Sequence, residues 1–209
     1  MSDASTLILR GEDETATGSS EAFLSSKIKY VVDEHGQNIC MLEVEGEEVG
    51  VMMGWEEPIM RETVHKLCDN YSNAGQLKIL NVGFGLGIVS LLYQRGSHTD
   101  FFLRKIDSLF QNYSPVEHVI IEAHPDVLAF MRKQGWYDKK GVKILEGRWQ
   151  DFIDTPALLS SGGFNAIYTD TFSEDYGDLR QFFEHLPDLL ADGQSRFSFF
   201  NGLGATSKA

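Results

Sequence analysis

The chain has 209 residues, with 18 Lys+Arg against 31 Asp+Glu and a formal charge of −13. Hydrophobic residues make up 42%, enough for one sizeable core, which excludes disorder over most of the chain and suits one domain with appendages. The acidic balance argues against a direct nucleic-acid partner, because phosphate contact needs a basic surface.

No stretch approaches the roughly 18 apolar residues of a membrane span. The segment Met1 to Arg10 has no basic lead, so no secretory signal is expected. Two cysteines, Cys40 and Cys68, build no disulfide framework and suit a reducing compartment. There is no Cys/His cluster at ligand spacing, and no metal site is expected.

Residues 1–22 are polar and acidic and read as a mobile tail. Ile28–Val32, Ile39–Val44 and Val49–Met53 are β-like runs separated by Asp33-Glu-His-Gly36 and Glu45-Gly46, a meander or hairpin pattern. Pro58 fits the first turn of a helix, and Ile59, Met60, Val64, Leu67 and Cys68 follow at helical spacing. Residues 23–76 are thus expected to form a β-rich lid and a first helix. From 77 to 209 strands alternate with helices. Lys78–Val82 is a strand, followed by a helix carrying Leu86, Val89, Ser90 and Tyr93. An inserted amphipathic helix is expected across Phe101–Phe110. His118–Glu122 is the next strand, with a helix opened by His124-Pro125-Asp126. Val142–Leu145 and Asn165–Thr169 are further strands; a helix with Leu179, Phe182, Phe183, Leu186 and Leu190 leads to a fifth, Arg196–Phe200. This alternation implies an α/β domain with a parallel sheet.

The first of these strands runs into Asn81-Val-Gly83-Phe-Gly85-Leu-Gly87. Glycines at a strand-to-helix turn let a ligand approach the backbone, and the helix start offers free N–H groups. A dinucleotide loop would place its third glycine at position 88, where this chain has Ile88. G-x-G-x-G is the spacing common in S-adenosylmethionine-dependent methyltransferases; a tight turn without a ligand is the alternative. Glu122 ends the next strand, where an acid can accept from both ribose hydroxyls or simply be a polar strand end. Trp149, after Glu146-Gly147-Arg148, walls an adenine pocket or packs in the core. Asp170 follows the apolar run Ala166–Tyr168, on the edge where open α/β sheets meet their ligands. Glu56 and Glu57 stand at a helix start, where the dipole favours them in any case. The six histidines form no triad pattern, and none is assigned to catalysis.

Together these pieces resemble guanidino-group methyltransferases, above all the fungal protein arginine N5-methyltransferases (type IV, delta-nitrogen), with guanidinoacetate N-methyltransferase as their relative. The resemblance runs from about Val49 to Gly204 and rests on V-G-V-M-M-G-W-E-E-P-I-M, N-V-G-F-G-L-G-I, I-I-E-A-H-P-D-V-L, V-K-I-L-E-G-R-W-Q-D, Y-T-D-T-F-S-E and F-S-F-F-N-G-L-G-A. It implies a Rossmann-like class I methyltransferase fold with S-adenosylmethionine as cofactor. Gly83, Phe84, Gly85, Leu86, Gly87 and Ile88 would hold its methionine and ribose part, Glu122 its ribose. Ala123, His124, Gly147, Arg148 and Trp149 would surround the adenine, while Phe23, Met52 and Met60 pack nearby. Glu56 and Asp170 would be the catalytic pair holding the guanidinium, with Asp170 also beside the cofactor, and Thr171, Asn201, Gly202 and Leu203 would meet the substrate.

The resemblance further implies a protein substrate, a ribosomal protein among the candidates, and a place in cytoplasm and nucleus. The alternatives are a guanidinoacetate methyltransferase, a non-catalytic cofactor-binding module, and, disfavoured by the glycine spacing, a nicotinamide oxidoreductase. Two departures stand out. Asn81 occupies a position where many methyltransferases carry an acid. The usual sheet has two more strands after the fifth, so C-terminal strands are expected to be missing here.

Overall fold

The computed structural model describes residues 21–32, 38–44, 47–53, 57–69, 71, 76–84, 106–171 and 176–200. The helix expected after the glycine turn and residues Phe101–Lys105 of the inserted helix lie outside them.

Two sheets organise the chain. The first is antiparallel, in the order β1 (Lys27–Val32), β2 (Asn38–Val44), β3 (Glu47–Met53), as the hairpin pattern predicts. The register shifts between Cys40 and Met41, so one extra residue bends the second pair. A short helix, α1 (Glu21–Ser25), precedes it. The acidic segment expected to be a tail up to residue 22 is therefore helical from Glu21. Five residues cannot hold a helix alone. Phe23, buried among Leu42, Phe84, Val127 and Trp136, supplies the missing stabilisation, on the order of 2 kcal/mol for a buried aromatic ring.

The second sheet is five-stranded and wholly parallel. Its strands are β4 (Lys78–Val82), β5 (Glu117–Glu122), β6 (Val142–Glu146), β7 (Ala166–Thr169) and β8 (Arg196–Phe199), in the order β6-β5-β4-β7-β8. All five agree with the expected strands to within a residue at each end. Both faces of a parallel sheet are covered, which is why its inner strands read as apolar runs. One face carries Leu80, Val82, Val119, Ile121, Leu145 and Ile167. It packs against α6 (Tyr176–Leu189) through Phe182 and Leu189, and against Leu158 of a four-residue α5 (Pro156–Leu159). On the other face, α2 (Glu57–Cys68) and α3 (Ile106–Gln111) bring Val64, Leu67, Leu109 and Phe110 onto Ile79, Ala166 and Tyr168. Farther along that face, α4 (Pro125–Lys133) and the small sheet close over Ile120 with Val127, Met131 and Leu42. No described helix is long and apolar enough to cross a membrane.

The connection order places β5 and β6 on one side of β4, and β7 and β8 on the other. The carboxyl ends of β4, β5 and β7 meet at this reversal, where open α/β sheets leave a crevice. Register fixes the level: Val82 lies beside both Ile121 and Thr169, so Gly83, Glu122 and Asp170 end their strands at one height.

Candidate active site

Gly83 has φ +87°, and a Cβ on it would lie 2.1 Å from the carbonyl oxygen of Asp170. Only glycine allows the ends of β4 and β7 to approach this closely. The Gly83 N–H donates to Ile121 O at 2.9 Å, and the Asp170 N–H donates to Val82 O at 2.9 Å. The turn is thus clamped between its two neighbouring strands.

Glu122 lies beside it, 7% exposed. Its Oε2 accepts from the Phe84 N–H at 2.9 Å and its Oε1 from the His124 N–H at 2.7 Å. Burial pushes the Glu122 carboxyl up from its ordinary value, while the N–H groups of His124, Phe84 and Ala123 pull it back. A carboxylate has about four lone-pair positions, so the three N–H groups leave part of that capacity for a ligand hydroxyl.

His124 is fully buried and structural in its contacts. Its Nδ1 accepts from the Asp126 N–H at 3.2 Å, capping α4, so its ring proton sits on Nε2, 3.2 Å from Ser26 Oγ. Phe23 meets the ring edge-on, with centroids 5.1 Å apart. The Ile28 N–H donates to Asp126 Oδ2 at 3.3 Å, so the small sheet is moored to the start of α4 beside Glu122. Burial lowers the His124 pKa.

Of the expected site residues, Phe23, Gly83, Phe84, Glu122, Ala123, His124 and Asp170 are brought together here. Gly147 joins them through its N–H, which donates to Glu122 O at 2.8 Å. Arg148 is half-buried, and its N–H donates to Asp151 Oδ2 at 3.0 Å. Trp149 behaves otherwise. Its indole is 2% exposed and packs edge-on against Phe182, with centroids 5.3 Å apart, in the core beneath α6. The ring is core packing, the second of the two readings its sequence position allowed. Met60 packs with the α2–α3 cluster that includes Tyr168, whose hydroxyl approaches Asp170 Oδ2 at 3.5 Å. Thr171 is half-buried next to Asp170. Met52 pairs with Cys40 along β3. Glu56, Gly85, Leu86, Gly87, Ile88, Asn201, Gly202 and Leu203 lie outside the described residues; α2 begins at Glu57, directly after Glu56.

One constellation escaped the sequence reading. Asn81 Nδ2 donates to Gly83 O and to both carboxylate oxygens of Asp107, each at 2.9 Å. Asp107 Oδ1 lies 2.9 Å from His118 Nε2, a close pairing whose direction departs from an ideal N–H···O line. Gln111 Nε2 stands 2.8 Å from His118 Nδ1; an amide nitrogen only donates, so Nδ1 accepts and the ring proton sits on Nε2, which has no hydrogen-bond partner among the described residues. Asn81, Asp107 and His118 are fully buried. The signal available was a polar residue inside each of two apolar runs, I-L-N-V and H-V-I-I. Asp107 joins them only through the fold. A separate groove of about 750 Å³ between α2 and β8 is lined by Ile59, Thr63, Arg196 and Phe197 among others, and by none of the residues gathered at the β4–β5–β7 edge.

Comparison with known proteins identifies the family. The family model described as guanidinoacetate N-methyltransferase matches residues 25–193. The protein named "Protein arginine N-methyltransferase 2" of Cryptococcus neoformans var. neoformans serotype D is 41% identical over 215 residues, covering 95% of this chain and 54% of that protein. Its namesake in Yarrowia lipolytica is 43% identical over 90% of this chain and 34% of its own length. That of Saccharomyces cerevisiae is 38% identical over 93% of this chain and 42% of its own. The chain thus spans about half the length, or less, of the curated relatives it matches. With its parallel sheet in a Rossmann-like arrangement, the chain belongs to the guanidinoacetate N-methyltransferase family of methyltransferases.

Proposed function

We propose that this chain forms the cofactor-binding and methyl-transferring part of a protein-arginine methyltransferase, acting on the internal delta nitrogen of an arginine side chain. One observation carries the reading. Glu122 is buried with both oxygens held by main-chain N–H groups, one of them from the glycine turn that Asp170 abuts across the sheet. A fixed, buried double acceptor next to a turn with no room for a Cβ fits S-adenosylmethionine, which has a ribose diol and needs close backbone approach. The relatives' printed name supports the protein-arginine part of the reading.

S-adenosylmethionine supplies an activated methyl group on a sulfonium. The chain's residues would do the rest. Glu122 would accept from the two ribose hydroxyls and fix the cofactor's depth. Phe23, docked on His124, would bring the N-terminal lid over the same end and help exclude water. Asp170, with Glu56, would grip the guanidinium. That cation keeps its charge to a pKa above about 12, and its lone pairs are delocalised. Two carboxylates bonded to the outer nitrogens would localise the charge there and leave the internal nitrogen to attack. A carboxylate oxygen of Asp170 or Glu56 would take the proton that nitrogen sheds as it accepts the methyl group. By holding the guanidinium in place, the two acids would contribute to rate through positioning.

The test is a labelled-methyl assay on hypomethylated protein, with fragment mass spectrometry to place the methyl group. Methylation at the internal nitrogen, lost in Asp170→Asn, supports the proposal; label on terminal nitrogens corrects the regiochemistry. The family model's printed description favours a second substrate, free guanidinoacetate, and the same assay with that compound decides between them. Binding of S-adenosylhomocysteine with no transfer to either substrate would leave a binding module only.

A further inference from the structure

We propose that Asp107 is a positioning residue for the cofactor turn: it orients the Asn81 amide, which in turn holds the Gly83 carbonyl. The inference rests on the reading of that turn as the cofactor cradle.

The argument begins with cost. Asp107, Asn81 and His118 have no exposure to water, and a buried polar group destabilises unless fully paired. Apolar side chains of similar volume generally serve a core at least as well as a buried charged or polar set. Asn81 Nδ2 meets both Asp107 oxygens and a single main-chain atom, Gly83 O, each at 2.9 Å, while His118 Nε2 stands 2.9 Å from Asp107 Oδ1 without a hydrogen-bond partner among the described residues. The direction is also determined: a carboxylate only accepts, so Asn81 turns its NH2 toward Asp107 and Gly83. Asn81 Oδ1 is thereby left on the opposite side of the amide, buried and without a partner among the described residues.

Gly83 is consequently held three ways: its N–H by Ile121 O, its α-carbon against Asp170 O, and its carbonyl by Asn81. The first two come from neighbouring strands and would form in any parallel sheet with glycine there. The third exists only because α3 carries an acid at 107. Asparagine at 81 is therefore half of a pair whose carboxylate sits on a different element.

The test compares Asp107→Asn with Ile106→Val, which trims the same helix without touching the polar line. Asn at 107 has one acceptor oxygen where Asp has two, so at least one of the two contacts to Asn81 Nδ2 is lost without any change in volume. Two readings are taken well below the melting temperature: amide hydrogen exchange at Gly83 and Phe84 in the unliganded protein, and the calorimetric Kd for S-adenosylhomocysteine. The proposal expects about ten-fold faster exchange at that turn and about ten-fold weaker binding in Asp107→Asn, with neither in Ile106→Val. Gln111→Met, which cuts only the outer link, should show a smaller loss of the same kind and serves if Asp107→Asn does not fold. Unchanged exchange in Asp107→Asn, or equal losses in both helix variants, overturns the proposal. Should the wild-type chain show no affinity for S-adenosylhomocysteine, the cofactor reading falls on its own, and the exchange data still decide whether Asp107 holds the turn.

Discussion

Replacing Gly83 by alanine tests the convergence of β4 and β7 directly. Two costs combine. An L-residue at φ +87° loses about 1–2 kcal/mol relative to glycine. The new Cβ meets Asp170 O at 2.1 Å, and because that atom is backbone, the strands themselves must part, adding the 1–3 kcal/mol typical of overpacking. Against this, alanine restricts the unfolded chain and returns about 0.4–1 kcal/mol. The net expectation is a loss of about 2–4 kcal/mol, which for a chain of this size lowers Tm by about 5–15 °C. Gly135→Ala is the matched control: φ is +69°, but nothing lies within 4 Å of its added Cβ. It bears only the conformational cost, so a loss of about 1 kcal/mol or less is expected. Urea unfolding of the two variants isolates the steric part, and calorimetry with S-adenosylhomocysteine shows whether the turn still accepts a ligand. If Gly83→Ala were no less stable than Gly135→Ala, the clamp between the two strand ends would not exist as described.

Glu122→Gln places an NH2 against one of the two N–H groups that now meet carboxylate oxygens, so S-adenosylhomocysteine binding should weaken at least about ten-fold by calorimetry. Trp149→Ala should cost about 3–5 kcal/mol in urea unfolding, with cofactor affinity little changed at temperatures where the variant is folded, because its ring packs on Phe182. His124 gives a pH signature. Its folded pKa is depressed, so as pH falls through the ordinary value near 6.5 the unfolded chain takes up a proton that the folded chain refuses, and stability declines until the folded value is reached. His124→Asn keeps a capping side chain and does not titrate, so its urea midpoint should lack that share of the decline between pH 7 and 5.

The parallel strands were legible because burial on both faces leaves an uninterrupted apolar run, as in Val119–Ile121. The helix at Pro125 was legible from its capping residue and proline. Gly83, Glu122 and Asp170 could be singled out because each ends such a run. What the sequence hid was the partnering. Trp149 could line a pocket or fill the core, and only the position of Phe182, more than thirty residues later, decides it. α5 has four residues and no periodicity to detect. α1 is helical because Phe23 docks on His124, a contact spanning about a hundred residues. Asp107 is one of many acidic residues in this chain, and nothing local distinguishes it from a solvated one.

Buried polar groups at the two ends of the parallel sheet are paired differently, and the difference locates function. At the amino end, Asn165 Oδ1 accepts from the Lys78 N–H at 2.8 Å and its amide reaches Tyr71, whose hydroxyl donates to Asp192 Oδ2 at 3.2 Å. Ser161 donates to Glu117 Oε1 at 2.7 Å, and the Lys78 ammonium reaches Ser161 O. These groups satisfy one another and tie α2 and the loops to the strands. At the carboxyl end the pairing stops short. Asn81 Oδ1 and Gln150 Oε1 are buried without partners among the described residues, and Glu122 keeps part of its acceptor capacity. The third such atom, His118 Nε2, lies near the amino end of β5, so the acceptors alone gather toward the carboxyl end, and an unmet buried acceptor is costly enough that folded proteins rarely keep one without a use. A hydroxyl-bearing ligand at the β4–β5–β7 edge would meet the remaining Glu122 acceptor. A ribose offers that hydroxyl whichever cofactor carries it, so the glycine spacing and the family match, rather than the charge of this edge, separate S-adenosylmethionine from a dinucleotide.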